Sequence, residues 1–501
     1  MTTHIAIDVG ARFTDVVAHH FDAQGEGAAL VVCKTKTAYP SIGLSPMCAL
    51  ECNGVEMSKV ALIVIGSTLP TDASAAEEYA QALQQAVQAR NYCVRLYFIK
   101  SNAGLTCVAD ARTDAGTGLA SGVVGGMLAA RVVAKAIGER NVLAVDVGAS
   151  TAKCALIREG KLSCKPYPAS IDVDMASFAI GTTLPINAQA NLTLADAHTL
   201  LGRMESDGLD PDRLTSRFTH LGQCQQLDAY QAAGAVLRQE NAKIAEELRR
   251  HCTRKGCAPR DCALMAFGGA GALHAAGLAH DLGITRVIIP VNAATFSAWG
   301  MLFADIRRDY TSVHRNEGAA LTATYVVAEF EQLRTQAQQD FRGRGLPQED
   351  WQFECQLHIH SGGQDLPLEL SVKQGSLGDA KEALQSVNVQ NASILQVVFH
   401  LVVYANVTKP KLQIKTSAGR SIADAKLGDR VVHFDHVGSF VAEIYDGIQL
   451  EPGMHLSGPA VVQGINSSVL VPPRYVLTVD SYGNFIIEQI EPHPSFVGDA
   501  L

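Results

Sequence analysis

An apolar strand ending in Asp-x-Gly occurs twice in this chain, and the repetition limits what the chain can fold into. Ile5-Ala-Ile-Asp8-Val-Gly10-Ala11 returns as Leu143-Ala-Val-Asp146-Val-Gly148-Ala149. Each copy runs into a tight turn and a second strand, one opening at Thr14-Asp15 and the other following Ser150-Thr151. Runs this apolar belong inside a sheet covered on both faces. Two such hairpins predict a duplicated domain, two lobes facing each other.

Facing turns of this kind suit a polyphosphate. A glycine at a strand end lets backbone N–H groups approach an anion because no Cβ intervenes. An aspartate beside it can hold Mg²⁺ against phosphate oxygens. Gly268-Gly269-Ala270-Gly271, between the strand-like Leu264–Phe267 and a helix to about Leu282, offers a third turn, where an adenosine can lie near a helix N-terminus. The same residues also admit a purely structural reading. Gly10 and Gly148 would then be hairpin glycines, Asp8 and Asp146 would bond their own turns, and Gly268–Gly271 would allow close packing.

Between these turns, strands and helices alternate. Strand signals fall at residues 15–20, 29–34, 60–65, 94–99, 143–147, 153–157 and 286–290. Helical spacing marks 75–89, 121–137, 193–204, 227–250 and 325–341. From about residue 350, short alternating segments separated by turn signals suggest an all-β terminal part. The expected division is a first lobe over 1–140, a second over 141–315 and a β-rich domain over 316–501.

Composition narrows the function classes. With 501 residues, 47% hydrophobic and 18% charged, the chain is an ordinary globular one with room for sizeable cores. A net charge of −9 argues against a nucleic-acid binder. Mean hydropathy is +0.09, yet no apolar run reaches the ~20 residues of a membrane helix. The first residues lack the basic and long apolar regions of a signal peptide. The 12 cysteines are scattered, and only Cys252, Cys257 and Cys262 cluster, without a C-x2-C knuckle. Reduced thiols in the cytoplasm are therefore expected.

A resemblance sharpens this picture. Phe267-Gly-Gly-Ala-Gly-Ala-Leu-His274-Ala275, Leu282-Gly-Ile284, Val287-Ile-Ile-Pro290, Phe296-Ser-Ala-Trp-Gly300, Ala304-Asp305 and Arg308-Asp-Tyr310 stand in the order of motifs in the hydantoinase A / 5-oxoprolinase / acetone carboxylase β-subunit family. Ile7-Asp-Val-Gly10 with Phe13-Thr14-Asp15, Gly66-Ser67-Thr68, Ser101-Asn102-Ala103-Gly104, Ser121-Gly122 with Gly125-Gly126, and Asp196 with Leu201-Gly202-Arg203 also resemble it. Gly363-Gln364, Phe399-His400 with Tyr404, and Gly458-Pro459 continue the likeness to the C-terminal end.

The resemblance implies an α/β actin-like ATPase (ribonuclease H-like) fold with duplicated lobes. It implies ATP-dependent opening of a cyclic amide or activation of a ketone for carboxylation, within an oligomer that includes a hydantoinase B-type partner subunit. Carried over by position, Asp8 and Asp146 stand at Mg²⁺. Gly10, Thr14, Asp15, Gly148, Ser150, Thr151, Gly268, Gly269 and Gly271 surround ATP, and His274 is a candidate ligand or base.

The chain departs from the pattern in its phosphate turns. Gly-Gly-Thr is replaced by Gly10-Ala11-Arg12, and the second turn reads Gly148-Ala149-Ser150-Thr151-Ala152-Lys153, with lysine where the family has aspartate. The chain is also shorter than the resemblance implies, chiefly between Thr37 and about Val94. Two functions thus stay open: a nucleotide-dependent catalytic subunit, or a scaffold that keeps the fold with a degenerate ATP site. Three single features have bland readings beside the functional ones. Asp196 fits a helix cap, Asp305, Arg308 and Asp309 fit an ion-paired return to the first lobe, and His358 and His360 share one strand face.

Overall fold

The structure, a computed structural model, describes residues 2–10, 13–22, 27–37, 44–67, 73–90, 92, 94–108, 122–163, 173–180, 192–205, 210–316, 321–344, 346, 348–361, 368–371, 377–385, 395–434, 437–464 and 467–490. Ala11, Arg12, Thr68, Ser121, Gly363 and Gln364 lie outside them.

The chain opens with an antiparallel meander, β1 (Thr2–Val9), β2 (Phe13–Phe21) and β3 (Gly27–Lys36). Strand alternation sends Ile5, Ile7 and Val9 into one core and Ala6 into another on the opposite face. Helix α1 (Leu44–Cys52) leads to β4 (Val60–Ser67), which lies parallel to β1. Helix α2 (Ala73–Gln88), β5 (Arg95–Ile99), β6 (Leu105–Cys107) and helix α3 (Gly122–Ala136) complete this lobe.

The plan then repeats. Strands β7 (Val142–Val147) and β8 (Thr151–Arg158) form the second hairpin; β9 (Lys161–Leu162) and β10 (Met175–Ala179) both pair antiparallel with β8. Three helices follow: α4 (Leu194–Leu200), α5 (Pro211–Gly222) and α6 (Ala229–Arg254). Helix α6 starts where Asp228 and Gln231 form a capping box. Strand β11 (Ala263–Phe267), helix α7 (Gly271–Leu282), β12 (Arg286–Ile289) and the short helix α8 (Phe296–Met301) end the lobe. In both lobes a hairpin is flanked by parallel strands, β4 and β5 in one and β11 and β12 in the other. This duplicated order is that of the actin-like fold expected above.

The remaining chain is β-rich as expected, but its strands do not keep to themselves. Strand β13 (Ile306–Asn316), helix α9 (Ala323–Gly343), β14 (Trp351–Ser361), β15 (Leu368–Ser371), helix α10 (Leu377–Gln385) and β16 (Leu395–Ala405) come first. Seven strands follow: β17 (Lys426–Phe434), β18 (Gly438–Asp446), β19 (His455–Ser457), β20 (Ala460–Gly464), β21 (Ser467–Val471), β22 (Tyr475–Val479) and β23 (Phe485–Gln489). The first lobe's sheet runs β15-β14-β16-β13-β6-β5-β4-β1-β2-β3 and the second's β10-β8-β7-β11-β12-β23-β22-β19. Only β17-β18-β20-β21 form a separate sheet among the described residues. Strand alternation shows that a face is buried and not which element buries it, so an independent all-β unit was the natural reading.

Helices α3 and α8 hold the lobes together at backbone contact. A Cβ on Gly300 would lie 1.9 Å from the Gly125 carbonyl oxygen, and one on Gly125 would lie 2.4 Å from that of Ser297. Gly66 meets the same contact, its Cβ position 2.7 Å from the Gly122 Cα. Gly300→Ala gains up to about 1 kcal/mol of helix propensity. The clash is with a backbone carbonyl that cannot rotate away, and overpacking of this kind costs about 1–3 kcal/mol or more. We expect a net loss seen as a lower urea midpoint; an unchanged or raised midpoint would contradict the packing.

Candidate functional site

Asp8 shares the face of β1 that looks toward α3. Its carboxylate meets the first residue of that helix, Gly122, where a Cβ would stand 1.9 Å from Oδ1. Asp146, near the end of β7, is walled in the same way: a Cβ on Gly268 would lie 2.2 Å from its Oδ1. Gly268 also has φ +85°, which disfavours other residues there. The second aspartate has one added tether, the Ser297 hydroxyl of α8 donating to Oδ2 at 3.1 Å. Asp8 is only 6% exposed, and its Oδ1 has no hydrogen-bond partner among the described residues.

Asp8 feels the charge of Asp146. Burial, with the charges of Asp15 and Asp146 added, pushes Asp8 up to about 7, against the pull of Lys153 and Lys34. Burial likewise raises Asp146, opposed by Lys153 and the Ser297 hydrogen bond. Asp15 is raised by burial and restrained by its ion pair with Lys34 at 2.9 Å. Register fixes this constellation. Asp8 stands opposite Asp15, Asp15 opposite Lys34, and Asp146 opposite Lys153. Carboxylates crowded in this way favour binding a cation over standing empty and charged.

The turns themselves match. Gly10 N–H donates to the Phe13 carbonyl and Gly148 N–H to that of Thr151, each at 2.9 Å. These glycine amides close their hairpins and are not offered to an anion, which corrects the simplest sequence expectation. In the second turn the N–H groups of Ala149 and Ser150 remain, and they donate to nothing among the described residues. Thr14 latches the first turn, its hydroxyl 3.1 Å from that of Thr37, which donates to the Gly10 carbonyl. Ser150 accepts from Ile180 N–H, and Thr151 pairs with Ala179. In the third turn, Ala270 N–H reaches back to the Val147 carbonyl at 3.0 Å, tying that turn to the second hairpin. A Cβ on Gly269 would face open space, whereas Gly271 packs on Ala266.

His274 lies elsewhere. It is 1% exposed in the helical layer, with Nδ1 2.7 Å from Asn241 Oδ1 and Nε2 3.4 Å from His198 Nε2. Burial pulls it down to about 4, so it is a neutral core histidine, and none of its partners belongs to the carboxylate group. Nothing in a histidine three residues past a glycine turn distinguishes these roles in sequence. Lys34, Gly122 and Ser297 are the contributors that the sequence did not single out as site residues; only Gly122 and Ser297 lie inside motifs quoted above. Among the described residues no group of three or more His, Cys, Asp or Glu could hold a metal by itself. Cys257 and Cys262 stand 3.5 Å apart as free thiols.

Family models give the comparison that decides kinship. The hydantoinase/oxoprolinase model matches residues 73–175 and 158–310, and the hydantoinase/oxoprolinase C-terminal domain model matches 311–490. The chain belongs to the hydantoinase/oxoprolinase family. The caprolactamase subunit alpha of Pseudomonas jessenii is 26% identical over 343 residues, 64% of this chain and 49% of that protein. The acetone carboxylase beta subunit of Xanthobacter autotrophicus is 23% identical over 435 residues, 72% of this chain and 59% of that one. The chain thus spans about half to three-fifths of the length of these curated relatives. A nucleotide-free acetone carboxylase structure superposes with TM-score 0.75 at 16% identity, covering 97% of this chain and 99% of that one. The ATP-dependent caprolactamase of Pseudomonas jessenii gives 0.62 at 18%, covering 95% and 82%.

Several hydantoinase/oxoprolinase motif residues prove to be joints. Asp196 completes the capping box of α4 with Thr193. Arg203 donates twice to the His433 carbonyl, and a Cβ on Gly202 would strike the Val431 carbonyl oxygen at 2.2 Å. Asp309 gathers Asn102 Nδ2 at 3.0 Å, Arg307 Nη2 at 2.8 Å and His400 Nε2 at 2.9 Å, joining β13 and β16 to the loop before β6. Burial alone would raise Asp309, but His400 and Arg307 hold its carboxyl well below the usual range. A carboxylate depressed in the folded state contributes stability above its unfolded value near 4 and loses it as pH falls. Asp309→Asn leaves Arg307 buried without its counter-charge and is expected to cost about 3–5 kcal/mol at neutral pH and less in acid. Urea titrations at two pH values check this; equal midpoints for wild type and variant would refute it.

Proposed function

We propose that this chain is the nucleotide-handling subunit of an ATP-dependent enzyme that opens a cyclic amide or activates a ketone for carboxylation. The convergence of Asp8 and Asp146 from two duplicated hairpins carries the reading. Two carboxylates with one orphaned oxygen form a hard-oxygen donor set suited to Mg²⁺, which takes its remaining ligands from phosphate and water. Glycine at 122 lets that oxygen lie against the start of α3, where a Cβ would stand 1.9 Å from it. Bound there with ATP, the metal would offset phosphate charge during phosphoryl transfer. The chain's own groups then position the nucleotide. Ala149 and Ser150 amides face the phosphates, Gly269 leaves space beside the third turn, and Thr14 holds the first turn in shape. Ser150 and Thr151 also sit where phosphate contacts are expected. Gly10, Gly148, Gly268 and Gly271 act as backbone hinges and packing points, and Asp15 acts through Lys34.

The relatives named as subunits support a partner chain, which we propose to be of the hydantoinase B type. Ten free thiols among the described cysteines support a reducing, cytoplasmic setting. No helix among the described residues is long and apolar enough to cross a membrane. Alanine at position 149 favours a second reading, a scaffold with a silent site.

Calorimetry separates the two. Titration of the full chain with ATP and Mg²⁺ should give a binding isotherm that Asp146→Asn weakens at least about tenfold, or ~1.4 kcal/mol. No binding heat for wild type at millimolar nucleotide would leave the scaffold reading alone.

A further inference from the structure

We infer that Lys153 contacts the ligand's phosphate, a fixed cation built into the second hairpin that does part of a metal's work in this chain. The inference rests on the nucleotide reading above. Duplication frames it: the first hairpin sets Asp8 opposite Asp15, and the second sets Asp146 opposite Lys153. Directly paired residues share a face, with Cβ atoms about 5 Å apart, so Lys153 stands beside Asp146 on the same face of the sheet.

What flanks each position differs. Asp15 receives Lys34 from the third strand of its meander, and the pair closes at 2.9 Å. Lys153 receives Ser177 from β10, which brings no charge. The half-buried ammonium donates no hydrogen bond and forms no ion pair among the described residues. The buried Oδ1 of Asp8, on which the Lys153 charge acts, is also unpartnered among the described residues. A positive and a negative group each lacking a direct partner, near enough to influence each other yet not in contact, are both satisfied by a third species that carries charge of both signs. Phosphoryl oxygens suit the ammonium, and a divalent cation between phosphate and Asp8 suits the carboxylate. Lysine presents a point charge on a flexible stem, which fits a tetrahedral oxyanion without demanding one geometry. The ligand class is therefore a polyphosphate, read at its terminal group. Its affinity should depend less on Mg²⁺ than it would with an aspartate at 153.

The test titrates ATP and inorganic tripolyphosphate into the full chain, once with Mg²⁺ and once in EDTA. Wild type is compared with Lys153→Met, Lys153→Gln and Lys153→Arg. Both neutral variants should bind both ligands roughly tenfold to a hundredfold more weakly in EDTA, with a smaller loss in Mg²⁺, while the arginine variant stays within about threefold of wild type. Matching thermal midpoints for either neutral variant show that the loss is local. Neutral variants that bind as tightly as wild type, or more tightly, overturn the inference, because Lys153 would then only offset Asp146. A loss confined to Mg²⁺ overturns it too, because the lysine would be acting through the metal. Wild type that binds neither ligand in either buffer overturns the nucleotide reading along with it.

Discussion

Carboxylates taken out of water hold their protons more tightly, and this molecule buries Asp8 and Asp146 together, with Asp146 adding to the rise at Asp8 and both drawing on the same counter-charges, Lys153 and Lys34. An arrangement of that kind is costly unless a cation completes it. The fold supports it from outside the site. Glycines at 122 and 268 admit the carboxylates, and backbone contact between α3 and α8 keeps the two sheets close. If either helix carried a bulkier residue at the crossing, the hairpins would separate and the mutual field would fade.

The terminal strands serve the same end. Strands β13, β16, β14 and β15 widen the first sheet, whereas β23, β22 and β19 widen the second, so one segment of chain braces both lobes. The ionic cluster around Asp309 fixes the first of these additions, and Arg203 with Gly202 fixes β17 against the end of α4. Motif residues away from the carboxylates thus hold the elements that position them.

Much of this was legible in the chain. Two apolar runs ending in Asp-x-Gly announced the hairpins, and the GGAG turn announced its strand and helix, because those signals are local. The partners of the helix glycines were not legible, since Gly125 meets Gly300 through a tertiary contact with no local trace. Helix α5, capped by Asp210 and begun by Pro211, gives little signal in apolar spacing because its segment is weakly apolar. The motif place of His274 points to the site, whereas its Asn241 and His198 partners, distant in sequence, make it a core residue. Gly268, in the same motif, packs against the Asp146 carboxylate and the Val147 backbone.

A structure of the chain determined with Mg²⁺ and a non-hydrolysable ATP analogue bears most directly on the central claim. The account predicts the triphosphate lying between the hairpins, within hydrogen-bond distance of the Ala149 and Ser150 amides, and metal density beside Asp8 Oδ1. Analogue bound elsewhere, or no analogue between the hairpins at saturating ligand, would contradict it.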